Sequence, residues 1–282
     1  FDKVDAGGLL RWMPDIWYLK LRYRLYMNRP LRLKHPVYYT EKLQWLKLYQ
    51  RQARHTAMAD KLLAREYVAK AVGREHLVPL LGVWMRVEDI DFDALPDRFV
   101  LKCNHDCGST IICKDKSTLD IDKALDKIKK RLKINHYYRS REWQYKHIER
   151  RIIAEEYLED ETGELRDYKL HCFGGQPLII SVHSQRHVSG GMQVNYYDEN
   201  WNYMKFRRIG LSAIPGRVEK PAHFDHMKWL AARISKDLPY ARVDLYDVNG
   251  RIYFGEITLY PSGGFFKYNS DVVEPMFGSW IH

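Results

Sequence analysis

No stretch of this chain approaches the roughly 20 consecutive apolar residues that a membrane-spanning helix needs, so no such helix is expected. Cysteine is scarce. Cys103, Cys107, Cys113 and Cys172 show no CxxC spacing and no clustered histidines, which argues against a zinc site and for reduced, structural thiols in a cytosolic protein. There is no GxSxG element and no GxxxxGK[ST] element, which speaks against a serine hydrolase and a P-loop NTPase. Internal repeats and low-complexity tracts are missing as well. What is present is 282 residues, 45% hydrophobic and 29% charged, enough for two compact units with their own cores. The net charge of +10 and pI near 9.3 call for anionic partners: a nucleotide, an acidic saccharide, a phospholipid surface or nucleic acid. Nucleic acid is not expected, because the plentiful Tyr and Trp do not interleave with basic residues in an RNA-binding motif.

The periodicity predicts an α+β chain: a helical front, a small hairpin-containing middle and a larger sheet unit behind. Ile16 to Leu25 reads as a helix carrying Lys20, Arg22 and Arg24 and breaking at Arg29-Pro30. Such a helix packs its stripe on the domain or lies on an anionic membrane surface. A second helix starts at a Thr40 cap, and a third runs from Thr56 to about Val72 and ends at Gly73. Strands are expected at Leu77–Trp84, Phe99–Cys103, Thr110–Cys113, Arg151–Leu158, Asp167–Phe173 and Leu178–His183. A charged helix over Asp120–Lys133 and another over Pro221–Leu238 complete the pattern before a last hairpin.

That hairpin holds the densest chemistry. Arg242-Val-Asp244-Leu-Tyr precedes Asn249-Gly250, and Gly255-Glu256-Ile-Thr258 follows. Alternation sets Arg242 with Asp244 on one face, and Glu256 with Thr258 on one face. A two-residue Asn249-Gly250 loop puts the two acids on opposite faces. A three-residue Val248-Asn249-Gly250 loop with Gly250 left-handed in a bulge pairs Asp247 with Arg251 and brings them together, and this is the expected form. Two carboxylates beside a hydroxyl then make an oxygen-rich site suited to Mg2+ and phosphates. Other segments offer what a nucleotide needs. Lys102 ends a strand before a loop containing Gly108 and Ser109, where an ammonium and loop amides could approach phosphates. Glu155, Glu156, Tyr157 and Leu158 end another strand, where a base could dock on a carboxylate and backbone groups, and Arg242 could neutralise a transferring phosphoryl group. Asp91-Phe-Asp93 and Asp120-Ile-Asp122 are short DxD patterns like those of sugar-nucleotide transferases.

In this order of segments the chain resembles the ATP-grasp superfamily, and within it the teichuronopeptide-biosynthesis (TupA-like) family. The resemblance runs through Glu41-Lys-Leu-Gln-Trp-Leu-Lys-Leu48, Asp60-Lys61, Arg65-Glu-Tyr-Val68 and Leu95-Pro-Asp-Arg-Phe-Val-Leu-Lys102-Cys-Asn-His105. It continues through Arg151-Ile-Ile-Ala-Glu-Glu-Tyr-Leu158, Asp167-Tyr-Lys169, Cys172-Phe-Gly-Gly175, Arg242-Val-Asp244 and Gly255-Glu-Ile-Thr258. It implies an ATP-grasp fold: a mostly helical region over 1–94, a small subdomain over 95–156 and a large one with the metal site over 157–282, gripping the nucleotide.

The resemblance also implies roles. Lys61 and Lys102 would hold phosphates, with the 104–109 loop folding over them. Glu155 would take the adenine amino group, Leu158 would offer its backbone amide, and Asp167 would lie near the ribose. Lys169 and Arg186 would contact phosphate or acceptor, Asp244 and Glu256 would hold Mg2+, and Arg242 would face the transferred phosphoryl group. Two positions depart from the family pattern: Thr258 stands where Asn is usual, and Gly108 is the covering loop's lone glycine. The implied activity is an ATP- and Mg2+-dependent carboxylate–amine ligase of bacterial cell-surface polysaccharide biosynthesis. Its partners would be an acidic saccharide or lipid-linked glycan and an amine such as an amino acid, in the cytoplasm, with peripheral contact at the inner membrane face. The alternatives are a kinase using the same nucleotide site, a glycosyltransferase of the same pathway and a non-enzymatic basic module.

Overall fold

The computed structural model describes residues 9–160, 163, 165–184 and 192–282. Helix α1 (Asp15–Met27) ends at Asn28, which takes a left-handed conformation at φ 57° just ahead of Pro30. α2 (Tyr39–Tyr49) begins one residue before the expected Thr40 cap. Thr40 therefore lies inside the first turn, where its hydroxyl donates to Glu274 Oε2 at 2.7 Å instead of capping. Glu41 accepts the N–H groups of Val37 and Tyr38 in its place.

The expected third helix is two helices, α3 (Ala53–Ala59) and α4 (Leu63–Val72). Asp60 causes the break, because its carboxylate accepts the N–H groups of Leu62 and Leu63 at 2.8 and 3.3 Å and so restarts the chain. Lys61 sits in the joint, and its N–H donates to the Asn104 carbonyl at 2.9 Å.

Two antiparallel sheets follow. The smaller has the order β1-β4-β2-β3, from β1 (Leu80–Trp84), β2 (Phe99–Cys103), β3 (Ile111–Cys113) and β4 (Ile152–Glu156). Its edge strand β1 comes from within residues 1–94. One face is covered by α5 (Ile121–Leu132), whose Ile128 is fully buried against Phe99, Leu101 and Ile152. Short α6 (Tyr137–Ser140) follows α5.

The larger sheet has the order β10-β9-β5-β6-β7-β8. It comprises β5 (Asp167–Phe173), β6 (Gln176–Ser184), β7 (Gln193–Asp198), β8 (Tyr203–Met204), β9 (Tyr240–Val248) and β10 (Arg251–Thr258). Its core lies on both faces: α4 and α7 (Phe224–Ile234) cover one, while α2 and α8 (Val273–Ser279) pack against Phe173 and Tyr240 on the other. Tyr39 of α2, fully buried, meets the rings of Phe173, Tyr240, Phe266 and Phe277 at 5.2–6.0 Å. A ring buried this way is worth about 2–3 kcal/mol by area alone. That second face turns polar beyond the ring cluster, where His171 and Arg242, then Lys169 and Asp244, follow Phe173 and Tyr240.

The four cysteines are free thiols; Cys103, Cys113 and Cys172 are buried and Cys107 is exposed. Among the described residues no helix is long and apolar enough to cross a membrane.

Candidate nucleotide and metal site

The β9–β10 turn corrects the expected loop. Val248 pairs with Arg251, so Asn249 and Gly250, both at positive φ, form a two-residue turn. The acids nevertheless share a face, because a bulge falls between Phe254 and Glu256 and restores Glu256 opposite Asp244. The extra residue is Gly255, where a Cβ would lie 3.0 Å from the Tyr246 ring. The signal available beforehand was that glycine itself, isolated inside a strand.

Register then builds a grid of polar side chains across three strands. Lys169 on β5 faces Asp244 on β9, which faces Glu256 on β10; in the next row His171 faces Arg242, which faces Thr258. Arg242 Nε donates to Asp244 Oδ1 at 2.6 Å, and Arg242 Nη2 donates to Asp244 Oδ2, Glu256 Oε1 and Thr258 Oγ1 at 2.8, 2.9 and 2.9 Å. Lys169, nearly fully buried, donates to Asp244 and lies 2.8 Å from Asp167. His171 bonds Tyr240 and Ser181 and is held neutral: burial pushes its pKa well down, aided by Arg242 and Lys169. Burial pushes the Asp244 carboxyl up, to about 6, against the pull of Arg242 and Lys169. Burial also opposes the Arg242 charge, but Asp244 and Glu256 outweigh it and hold the guanidinium protonated.

Exposure grades along the grid. Asp167, Lys169 and Asp244 are at the closed end, while the Glu256 side chain, 31% exposed, is at the mouth. Lys61 stands across from Glu256, its Nζ 3.9 Å from Oε2 and bonded to the Asp106 carbonyl. One ammonium thus touches both the β10 acid and the loop after β2. Lys61 and Glu256 also line a narrow cavity with Ala64, Tyr145 and Gly255.

The smaller sheet carries the second group of expected nucleotide residues. Lys102 Nζ lies 2.5 Å from Glu155 Oε2, and Arg65 reaches Glu155 Oε1 at 3.3 Å. Lys102 and Glu155 are therefore partnered with each other, and Arg65, part of a matched segment but given no role from the sequence, also reaches Glu155. Glu156 N–H bonds the Pro79 carbonyl at 3.0 Å, and Arg98 lies over the Tyr157 ring at 4.4 Å. Leu158 follows directly, half-buried.

The 104–109 loop is pinned rather than loose. Ser109 donates its hydroxyl to Asp106 and accepts the Cys103 N–H at 2.8 Å, and Arg131 Nε meets Asp106 Oδ2 at 2.5 Å. Ser109 thus spends its hydroxyl inside the loop and not on a ligand. Gly108 leaves room for that guanidinium, since a Cβ there would lie 2.8 Å from Arg131. Asp106 and Arg131 were not foreseen; neither carries a sequence signal. Arg186 lies outside the described residues.

The two DxD patterns are spent locally. Asp91 accepts the N–H groups of Asp93 and Ala94, and Asp120 caps α5 through Lys123 N–H.

A divalent ion fits the grid on one observation. Oxygens of Asp244, Glu256 and Thr258 converge within 2.9 Å of a single cationic nitrogen, Arg242 Nη2. Among the described residues no three His, Cys, Asp or Glu gather as a ready metal cage. Two carboxylates that need phosphate oxygens to complete the shell are the pattern Mg2+ favours over a dedicated protein cage. A larger open cleft, about 530 Å3, lies elsewhere, between the start of α1 and α6. It includes neither Lys61 nor Glu256, and the chemistry of the grid outweighs its size.

Comparison with known families matches residues 41–282 to the family described as TupA-like ATPgrasp. Among solved structures, D-alanine–D-alanine ligase from Bacillus anthracis complexed with ATP is similar at 18% identity and TM-score 0.42, over 72% of this chain and 54% of that one. The chain thus spans about half the length of that ligase. D-alanine–D-alanine ligase from Helicobacter pylori is similar at 13% identity and TM-score 0.45, over 86% and 66% of the two chains. The ATP-grasp ligase PsnB complexed with minimal precursor, Mg and ADP is similar at 13% identity and TM-score 0.46, over 98% and 73%. Comparison with curated proteins gives no match. The chain has the ATP-grasp fold and belongs to the TupA-like ATP-grasp family.

Proposed function

We propose that this protein is an ATP- and Mg2+-dependent ligase that joins a carboxylate to an amine, with an acidic saccharide, free or lipid-linked, as the acid and an amino acid or similar amine as the acceptor. The observation that carries the reading is the Asp244–Glu256–Thr258 oxygen set facing Lys61 at the mouth of the polar face. Asp244, Glu256 and Thr258 would hold Mg2+, which supplies neutralisation of charge on the triphosphate. Lys61 and Lys102 fix phosphate oxygens in line, and Arg242, released from the acids, faces the transferred group. Glu155, Glu156, Tyr157 and Leu158 border the purine, and Asp167 and Lys169 underlie the ribose–phosphate end. Gly108, at the exposed tip of the pinned loop, lets backbone N–H groups approach the phosphates.

In the first step a substrate carboxylate oxygen attacks the γ-phosphorus and the bond to the ADP oxygen breaks, giving an acyl phosphate. In the second, the amine attacks the acyl carbon, phosphate leaves with the bonding pair, and the amine loses a proton. No protein nucleophile is required. A cell-surface polysaccharide as the product's home is supported by family membership and by the basic charge of +10, which suits an anionic glycan.

The test is trapping with hydroxylamine. With ATP, Mg2+ and a panel of uronic acids but no amine, the ligase reading predicts hydroxamate formed in step with ADP. A stable phosphoester with no hydroxamate would instead make the protein a kinase. Sugar transfer without ADP release would make it a glycosyltransferase.

A further inference from the structure

Helix α1 is apolar on both sides, which is unusual for a helix at a protein surface. One side packs inward: Tyr18, Leu19, Tyr23 and Met27 are buried with Leu31 and Phe265. The other points to solvent. Trp17, Leu21 and Leu25, spaced by four and so stacked along one stripe, are 62%, 40% and 60% exposed, and Trp12 just ahead of the helix is 77% exposed. Large apolar side chains gathered in one place on a surface mark a contact site, whereas scattered ones do not.

Charge on this surface names the partner. Lys20 and Arg24 are exposed beside the stripe, with Lys20 Nζ 5.3 Å over the Trp17 ring. Arg11, Arg32 and Lys34 are exposed on the flanking segments. Between residues 9 and 38 the one carboxylate is Asp15. It is already neutralised by Arg51 at 2.6 Å and Arg141 at 3.5 Å, and it accepts the Tyr137 hydroxyl at 2.7 Å. The surface is therefore apolar and aromatic at its centre and cationic at its margins. A protein partner would need an acidic, apolar groove of matching shape; an anionic bilayer offers both properties without any. Trp at the headgroup level, with Lys and Arg stems reaching lipid phosphates, is the arrangement of helices that lie in the membrane plane.

We propose that α1 docks the protein on an anionic lipid surface, with Trp12, Trp17, Leu21 and Leu25 entering the headgroup boundary and Lys20 and Arg24 meeting lipid phosphates. This site is separate from the nucleotide grid and does not depend on the ligase reading.

Co-sedimentation with extruded vesicles tests it. The wild-type protein is expected to sediment with phosphatidylcholine vesicles containing phosphatidylglycerol, to stay in solution with phosphatidylcholine alone, and to be released by high salt. Trp fluorescence should shift to the blue on binding. Trp17→Ser/Leu25→Ser and Lys20→Glu/Arg24→Glu should each lower the partition coefficient by about tenfold or more, since each removes apolar area or reverses lipid-facing charge. All four side chains are exposed, so unchanged melting temperature and ATP-induced stabilisation in these variants show that the fold is intact. The proposal is overturned if the wild type ignores anionic vesicles or if both variants bind them as the wild type does. It is overturned equally if sedimentation equilibrium shows a dimer that Trp17→Ser dissolves, which would assign the stripe to a second copy of the chain.

Discussion

Glu256→Gln is expected to remove most of the stabilisation that ATP with Mg2+ confers, while leaving the unliganded melting temperature nearly unchanged. A ligand that binds the native state at a hundred times its Kd stabilises by about 2.7 kcal/mol. For a chain of this size that corresponds to roughly 5–10 °C in Tm. Glu256 is the more open of the two acids, with its side chain 31% exposed at the mouth of the site. Replacing one of its oxygens by an amide leaves size and packing alone and removes a negative charge from the metal end. Lys61 then keeps its bond to the Asp106 carbonyl, so the loop contact survives. Differential scanning fluorimetry with ATP alone, Mg2+ alone and both separates the effects. An equal shift in variant and wild type would mean that the metal–nucleotide complex binds elsewhere.

Lys169→Met, in contrast, should be costly before any ligand is added. The ammonium is nearly fully buried and is shared between Asp167 and Asp244. Taking it away leaves two buried carboxylates close together, facing Arg242 as the remaining guanidinium. Breaking a buried pair by removing one partner costs about 3–5 kcal/mol. Chemical denaturation should show the loss, with an unchanged m-value if the native state stays compact. Adding Asp244→Asn removes one stranded charge, so the double variant should recover part of the loss even though it cannot hold a metal at that position. A Lys169→Met protein as stable as the wild type would show that the closed end of the grid contributes charge balance and no stability.

Much of the fold was legible because strand alternation and turn chemistry agree in its hairpins. Gly174-Gly175 lie at positive φ between β5 and β6, and Asn249-Gly250 likewise between β9 and β10. β7 and β8 escaped because Val194 to Tyr197 are buried on both faces, which erases the period-two signal. α8 escaped because Pro275 and Gly278 are poor helix formers, and its existence rests on Phe277 packing into the ring cluster around Tyr39. The break between α3 and α4 was hidden because Met58 and Leu62, four residues apart, carry a helical spacing straight through Asp60.

In the site, residue types at strand ends were readable, but their pairing was not. That Asp244 and Glu256 meet depends on a bulge at Gly255, one residue of slip that reverses every side chain beyond it. That Lys102 and Glu155 partner each other depends on β2 lying against β4 in one register. Asp106, Arg131 and Arg65 act through long-range contacts that leave no local pattern.

A crystal structure of the protein with ADP and Mg2+ would decide whether the β9–β10 acids hold one divalent ion on a nucleotide. The ion is expected at about 2.1 Å from carboxylate oxygens of both Asp244 and Glu256 and from ADP phosphate oxygens, with Arg242 Nη2 displaced from between them. An ion coordinated by neither acid, or ADP seated away from Lys61 and the β10 strand, would contradict it.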